Sequence, residues 1–152
     1  MSKTVYLLIG PNLNLLGLRE PHIYGSKTLK DVEAMCRPVA EKFGFALEFR
    51  QTNREYEMVD WIQEARQSAG VIINPAGFTY NAVPVLDALK MCECPVVEVH
   101  ISNIHKRAET EASWRADSIM SAAATGVIAG LGVRGYALAV EFMGHAIAAG
   151  AK

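Results

Sequence analysis

Thr4-Val5-Tyr6-Leu7-Leu8-Ile9, cut off by Gly10-Pro11, is the stretch on which the fold turns. It is a short run of β-branched and large apolar residues that a Gly-Pro pair ends abruptly, which is the signature of a strand. The run is apolar almost throughout instead of alternating, so both of its faces are expected to be covered, as in a parallel sheet flanked by helices. Comparable runs recur at 45–50, 70–74, 95–99 and 126–131.

Four amphipathic segments separate or follow these runs. Thr28 is suited to cap the first, with Asp31 at the reciprocal position; Val32, Cys36, Val39 and Phe43 form its apolar stripe, and Gly44 stops it. Pro38 falls inside this helix and is expected to kink or shorten it. Asn53 is suited to cap a second helix with the stripe Met58, Trp61, Ile62 and Ala65. Val85, Ala88, Leu89 and Cys92 line a third, and Tyr136, Val140, Met143 and Ile147 a terminal one. Trp61, the methionines and the cysteines are expected in the core. Strands alternating with helices give an α/β fold, a doubly wound five-stranded parallel sheet with right-handed crossovers. With no repeat, linker or low-complexity tract, residues 1–152 read as a single domain.

Composition narrows the function. Half of the 152 residues are apolar, a fifth are charged, and the net charge is -1, which gives a nucleic acid or a membrane surface no overall field to follow. Cys36, Cys92 and Cys94 lack the spacing of a disulfide framework or a zinc site and read as reduced thiols. The apolar run after Lys3 is too short for a secretion signal, and no stretch has the length of a membrane span, so a cytoplasmic protein is expected.

In a doubly wound sheet, ligands bind beyond the carboxyl ends of the strands. Two connections there exceed what a short loop needs: 10–26, with Asn12, Arg19, His22 and Tyr24, and 100–118, with Ser102, His105, Arg107, Trp114 and Arg115. The third strand leads into Asn74-Pro75-Ala76-Gly77, whose small residues allow a ligand close to the backbone. No dinucleotide glycine motif or phosphate loop follows the first strand, which disfavours nucleotide and flavin carriers. The four histidines lack metal-ligand spacing, leaving acid–base chemistry as the better use of any of them.

Collinear blocks across nearly the whole chain carry a resemblance. They are Gly10-Pro11-Asn12-Leu13-Asn14-Leu15-Leu16-Gly17, Arg19-Glu20-Pro21, Ile23-Tyr24-Gly25, Glu48-Phe49-Arg50-Gln51-Thr52-Asn53, Asp60-Trp61-Ile62, Asn74-Pro75-Ala76-Gly77, Glu98-Val99-His100-Ile101-Ser102-Asn103-Ile104-His105 and Gly126-Val127-Ile128-Ala129-Gly130-Leu131-Gly132. Together they resemble the type II 3-dehydroquinate dehydratases. The resemblance implies a flavodoxin-like three-layer fold and a lyase that converts 3-dehydroquinate to 3-dehydroshikimate by anti elimination through an enolate, in aromatic biosynthesis or quinate breakdown. It implies no metal or redox cofactor, and a homododecamer built from trimers.

The resemblance also assigns roles. Tyr24 is the base; a phenol, with an ordinary pKa near 10, needs a cation beside it, for which Arg19 is the matching residue and Arg107 a second contributor. His100 is the acid, oriented by Glu98 on the same strand face. Asn12 holds a water against the enolate oxygen. Asn74, the Ile101–Ser102 backbone, the Ser102 hydroxyl and Arg115 bind carboxylate and hydroxyls, and Asp87 reaches a neighbouring subunit's site. Read singly, Tyr24 is a half-buried loop aromatic, a balance that the surrounding block reverses; without Glu98 and Ser102 beside it, His100 is as readily a satisfied core histidine; and Arg19 and Arg115 have the alternative of plain surface charges. His22, His105 and His145 are expected to be structural or at the surface.

Two departures fall on the substrate side. Tyr80 stands where the family carries a histidine facing the ring hydroxyls, and Asn81 and Ala82 replace small hydroxyl residues. The stretch 108–115 is a few residues longer than the family's if Trp114-Arg115 is its aromatic–Arg pair. Three readings follow: the dehydratase, a related lyase retuned for another cyclic hydroxy ketone or acid, and a non-catalytic binder of a shikimate-like ligand.

Overall fold

The computed structural model describes residues 3–150. Five parallel strands, β1 (Thr4–Ile9), β2 (Ala46–Gln51), β3 (Gly70–Asn74), β4 (Val96–His100) and β5 (Gly126–Ala129), form one sheet in the order β2-β1-β3-β4-β5. This is the flavodoxin-like order, with the switch in winding direction between β1 and β3. Among the described residues six helices are interleaved: α1 (Pro21–Tyr24), α2 (Leu29–Phe43), α3 (Glu55–Ala65), α4 (Val83–Lys90), α5 (Ile104–Thr110) and α6 (Arg134–Ala148).

Every residue of β3 and β4 is buried, as a strand covered on both faces requires. One core, with Leu7, Ile9, Ile72 and Val99 at its sheet side, receives α2 and α6; the other, with Leu8, Val71 and Ile73, receives α3 and α4. Each such large side chain removed from water contributes about 1.5–3 kcal/mol before entropy is counted. Among the described residues no helix is long and apolar enough to cross a membrane.

Local signals were realised unevenly. Thr28 and Asp31 form the full capping box, and Gly44 ends α2 at φ 77°. Pro38 does not shorten α2, which runs on through Phe43. The strand ends differ by a residue or two from the apolar runs, because pairing extends β2 to Gln51 and β4 to His100 and stops β5 at Ala129. Asn53 does not cap α3; Arg54 occupies that position without a side-chain cap, and Thr52 Oγ1 accepts from the Arg54 amide at 3.0 Å. Met58, Met120 and Met143 are buried, but Met91 is half exposed just beyond α4. The three cysteines are free, with Cys36 and Cys94 buried; burial pushes the Cys36 thiol up to about 12.

Candidate active site

A cleft opens at the carboxyl ends of β1, β3 and β4. Gly10 makes the strands' convergence possible: its amide donates to the Asn74 carbonyl at 2.8 Å, and a Cβ there would lie 2.6 Å from the Pro75 carbonyl oxygen. The chain then turns through Asn12 at φ 71°, a left-handed conformation that asparagine tolerates better than most residues. Asn53 holds this turn. Its Oδ1 accepts from the Asn12 amide at 2.9 Å and from Gln51 Nε2 at 3.1 Å, and the same Gln51 group donates to the Gly10 carbonyl at 3.1 Å. The Asn12 side chain is thus presented at the cleft by the end of the neighbouring strand.

β3 ends on Asn74, buried at the cleft floor. Its Nδ2 donates to the hydroxyl of Tyr136 on α6 at 2.7 Å, and its Oδ1 accepts from the Ala76 amide at 3.0 Å. One amide hydrogen and one lone pair remain for a ligand. Tyr136 is wholly buried, which raises its phenol above the ordinary range and keeps it neutral.

β4 supplies the next pair. Glu98 and His100 project from one strand face, and His100 Nε2 lies 2.5 Å from Glu98 Oε2. Ser118 Oγ donates to Oε2 at 2.6 Å and Ser121 Oγ to Oε1 at 2.7 Å. Burial works to raise the Glu98 pKa, but the bonds from His100, Ser118 and Ser121 outweigh it and hold the carboxyl below its usual range. An ionised carboxylate only accepts, so the proton on this contact belongs to His100 Nε2, and Nδ1 is the ring atom left to exchange one. Immediately after β4, Ile101 and Ser102 line the cleft.

Tyr24 closes α1 and lines the same cleft as His100. Arg107 Nη1 donates to its hydroxyl at 3.1 Å and to Ser102 Oγ at 3.2 Å. Arg19 sits over the ring face, its guanidinium carbon 5.0 Å from the centroid. The hydrogen bond to the phenol therefore comes from Arg107, while Arg19 contributes through the ring and the local field.

Despite the longer loop, Arg115 reaches the cleft. Its guanidinium lies 4.7 Å from the Trp114 ring centroid and 5.8 Å from that of Tyr80, and those two rings meet edge to face at 4.8 Å and 82°. Tyr80 thus lines the cleft with its ring braced from outside.

The structure gathers ten of the twelve residues singled out from sequence around one opening, with Glu98 directly behind His100. Asp87 is the one placed elsewhere, exposed on α4. His22 and His105 are exposed, and exposed His145 packs edge-on against Phe43. Sequence reasoning missed Ser118, Ser121, Tyr136 and the true work of Asn53. The Ser-x-x-Ser spacing before β5 was the one available hint; Tyr136 looked like an ordinary member of a helical stripe. Among the described residues no three His, Cys, Asp or Glu side chains gather so as to hold a metal ion.

The family model described as dehydroquinase class II matches residues 3–144. The chain is 57% identical over 138 residues to 3-dehydroquinate dehydratase 2 of Agrobacterium fabrum, covering 90% of this chain and 91% of that one. It is 56% identical over 139 residues to the 3-dehydroquinate dehydratase of Streptomyces avermitilis, covering 90% and 85%. Among solved structures, the type II dehydroquinase from Propionibacterium acnes superimposes with a TM-score of 0.86 at 42% identity, over 95% of this chain and 98% of that one. On these likenesses and on the cleft they converge upon, the chain belongs to the class II dehydroquinase family.

Proposed function

We propose that this chain is a hydro-lyase that removes water from 3-dehydroquinate to give 3-dehydroshikimate, with Tyr24 as base and His100 as acid. The observation that carries the reading is a phenol bonded to a guanidinium and a histidine bonded to a buried carboxylate lining one cleft. Arg107 donates to the oxygen that bears the negative charge in the phenolate, and Arg19 adds a second cation. The phenolate takes the proton alpha to the ketone, and the electron pair moves onto the carbonyl oxygen as an enolate. Asn12 holds a water against that oxygen. As the enolate collapses to the conjugated ketone, the carbon–hydroxyl bond breaks and His100 delivers a proton to the departing hydroxyl. The net change is loss of one water, and the Tyr24 proton returns to His100 through solvent.

Substrate binding follows from atoms still free. Ser102 Oγ accepts from Arg107, so its own hydrogen is available to the substrate carboxylate, beside the Ile101–Ser102 backbone. Asn74 and Arg115 address hydroxyls, and Tyr80 offers a phenol to the ring. Asp87 is exposed on α4 and does not line its own cleft, which suits a residue serving a neighbouring copy. Val127, Leu131, Leu138 and Phe142, apolar and half exposed on β5, α6 and the turn between them, support assembly of several copies, for which we take the homododecamer. The setting we assign is the cytoplasm.

Tyr80 favours a second reading, a lyase of the same chemistry retuned to another cyclic hydroxy ketone, because Trp114 and Arg115 hold its ring in the cleft. Ultraviolet absorbance with 3-dehydroquinate, following growth of the conjugated enone, separates the two. Turnover by the native protein is the expected result. Turnover only after Tyr80→His establishes the retuned pocket, and silence from both folded proteins overturns the dehydratase reading.

A further inference from the structure

Two of the three arginines of the cleft, Arg107 and Arg115, share one counter-ion, and it lies in the lengthened stretch 108–115. Glu111 follows α5 immediately. Its Oε2 accepts from Arg107 Nε at 2.7 Å and its Oε1 from Arg107 Nη2 at 3.0 Å, a two-pronged pairing that fixes the plane of the guanidinium. The remaining nitrogen, Nη1, is thereby aimed at Tyr24 and Ser102. The same Oε1 lies 3.8 Å from Arg115 Nε. Arg115 in turn rests against the Tyr80 and Trp114 rings. A continuous path thus runs from the tyrosine facing the substrate ring, through Arg115 and Glu111, to Arg107 and the base.

From this geometry we infer that Glu111 is a positioning residue for the elimination: it fixes Arg107 against the Tyr24 hydroxyl and ties that setting to Arg115 at the substrate side. The inference rests on the dehydratase reading of the cleft. An ion pair at the surface contributes little to stability. A guanidinium held in plane by two bonds nevertheless decides where its third nitrogen points, and a misplacement of about 1 Å near reacting atoms costs on the order of 10²-fold in rate. The carboxylate therefore matters for turnover out of proportion to its part in folding. It acts through Arg107 and does not touch the substrate.

The test combines kinetics with a spectroscopic signature that needs no substrate. In Glu111→Ala we expect kcat to fall roughly 10–100-fold, KM to change less than about threefold, and the melting temperature to hold. Glu111→Asp, which keeps the charge, should recover part of the loss, and Glu111→Gln less. The double variant with Arg107→Ala should be no slower than Arg107→Ala alone, because both substitutions break one link. In full-length protein carrying 3-fluorotyrosine at position 24, the fluorine resonance should move in Glu111→Ala as it does in Arg107→Ala. Losses that multiply, a change in KM alone, or a fluorine resonance unmoved by Glu111→Ala would overturn the inference. Native protein that turns nothing over, while the fluorine signal responds as expected, would sink the dehydratase reading and leave the coupling of Glu111 to Tyr24 standing.

Discussion

His100 Nε2 lies 2.5 Å from Glu98 Oε2, and the carboxylate behind it is 1% exposed and bonded by two serine hydroxyls. A buried carboxylate so fully satisfied is a fixed acceptor: it sets the ring's orientation and leaves one ring nitrogen to the reaction. Glu98→Gln should lower kcat about 10–100-fold, part of the roughly 10²–10⁴-fold that positioned acid–base groups supply, with smaller change in KM. Steady-state kinetics on the variant decides it, and unchanged kcat would remove Glu98 from the acid's support.

The same carboxyl makes stability depend on pH. Its folded-state pKa lies below the ordinary 4.5, so its contribution is fully present above that value and is lost as pH falls through the folded-state pKa. Urea unfolding from about pH 6 down to pH 3 should show the stability gap between native protein and Glu98→Gln closing with acid. A gap constant across that range would mean that another group governs the acid limb.

Removal of the phenol oxygen leaves the Tyr24 ring in place. Tyr24→Phe should cut kcat by on the order of 10³-fold, with thermal unfolding essentially unchanged, since the hydroxyl bonds only a partly exposed guanidinium. Enone absorbance and calorimetry report the two halves of this expectation; near-native turnover would place the base elsewhere.

Trp114 braces both Tyr80 and Arg115. An edge-to-face pair is worth about 0.5–1.5 kcal/mol and an exposed cation–π contact about 0.5–1. Trp114→Ala should therefore raise KM roughly tenfold while kcat changes little, because neither neighbour faces the proton transfers. A fall in kcat at constant KM would contradict that division of labour.

At Gly10 a methyl group would press on the Pro75 carbonyl, where β1 and β3 deliver their loops to the cleft. Gly10→Ala should destabilise the protein by about 1–3 kcal/mol and shift Asn12 relative to Asn74, slowing turnover tenfold or more. Denaturant midpoint and kcat are expected to fall together; a silent substitution would show the loop junction to be slack.

Much of this was legible in the chain. Uninterrupted apolar runs such as Val71–Ile73 announced buried parallel strands, and Thr28, Asp31 and Gly44 marked both ends of α2, because capping is decided by a few neighbouring residues. The residues facing the cleft were legible through the resemblance of whole blocks. Their supports were not. Tyr136 reaches Asn74 across 62 positions, Ser118 and Ser121 reach Glu98 across 20 and 23, and Asn53 serves Asn12 across 41. Nothing local distinguishes these hydroxyls and amides from surface or stripe residues; only the strand order that folds the chain back on itself creates their partners. Pro38 shows the opposite limit: it does not cut α2 short, and the helix runs on to Phe43 with its apolar stripe packed on the sheet.

The bond between Asn74 and Tyr136 also orders events during synthesis. A chain growing from its N-terminus presents Asn74 long before α6 exists, so the amide at the cleft floor remains without its anchor until the sixth helix has left the ribosome and docked. The floor of the cleft is thus completed only by the last helix of the chain.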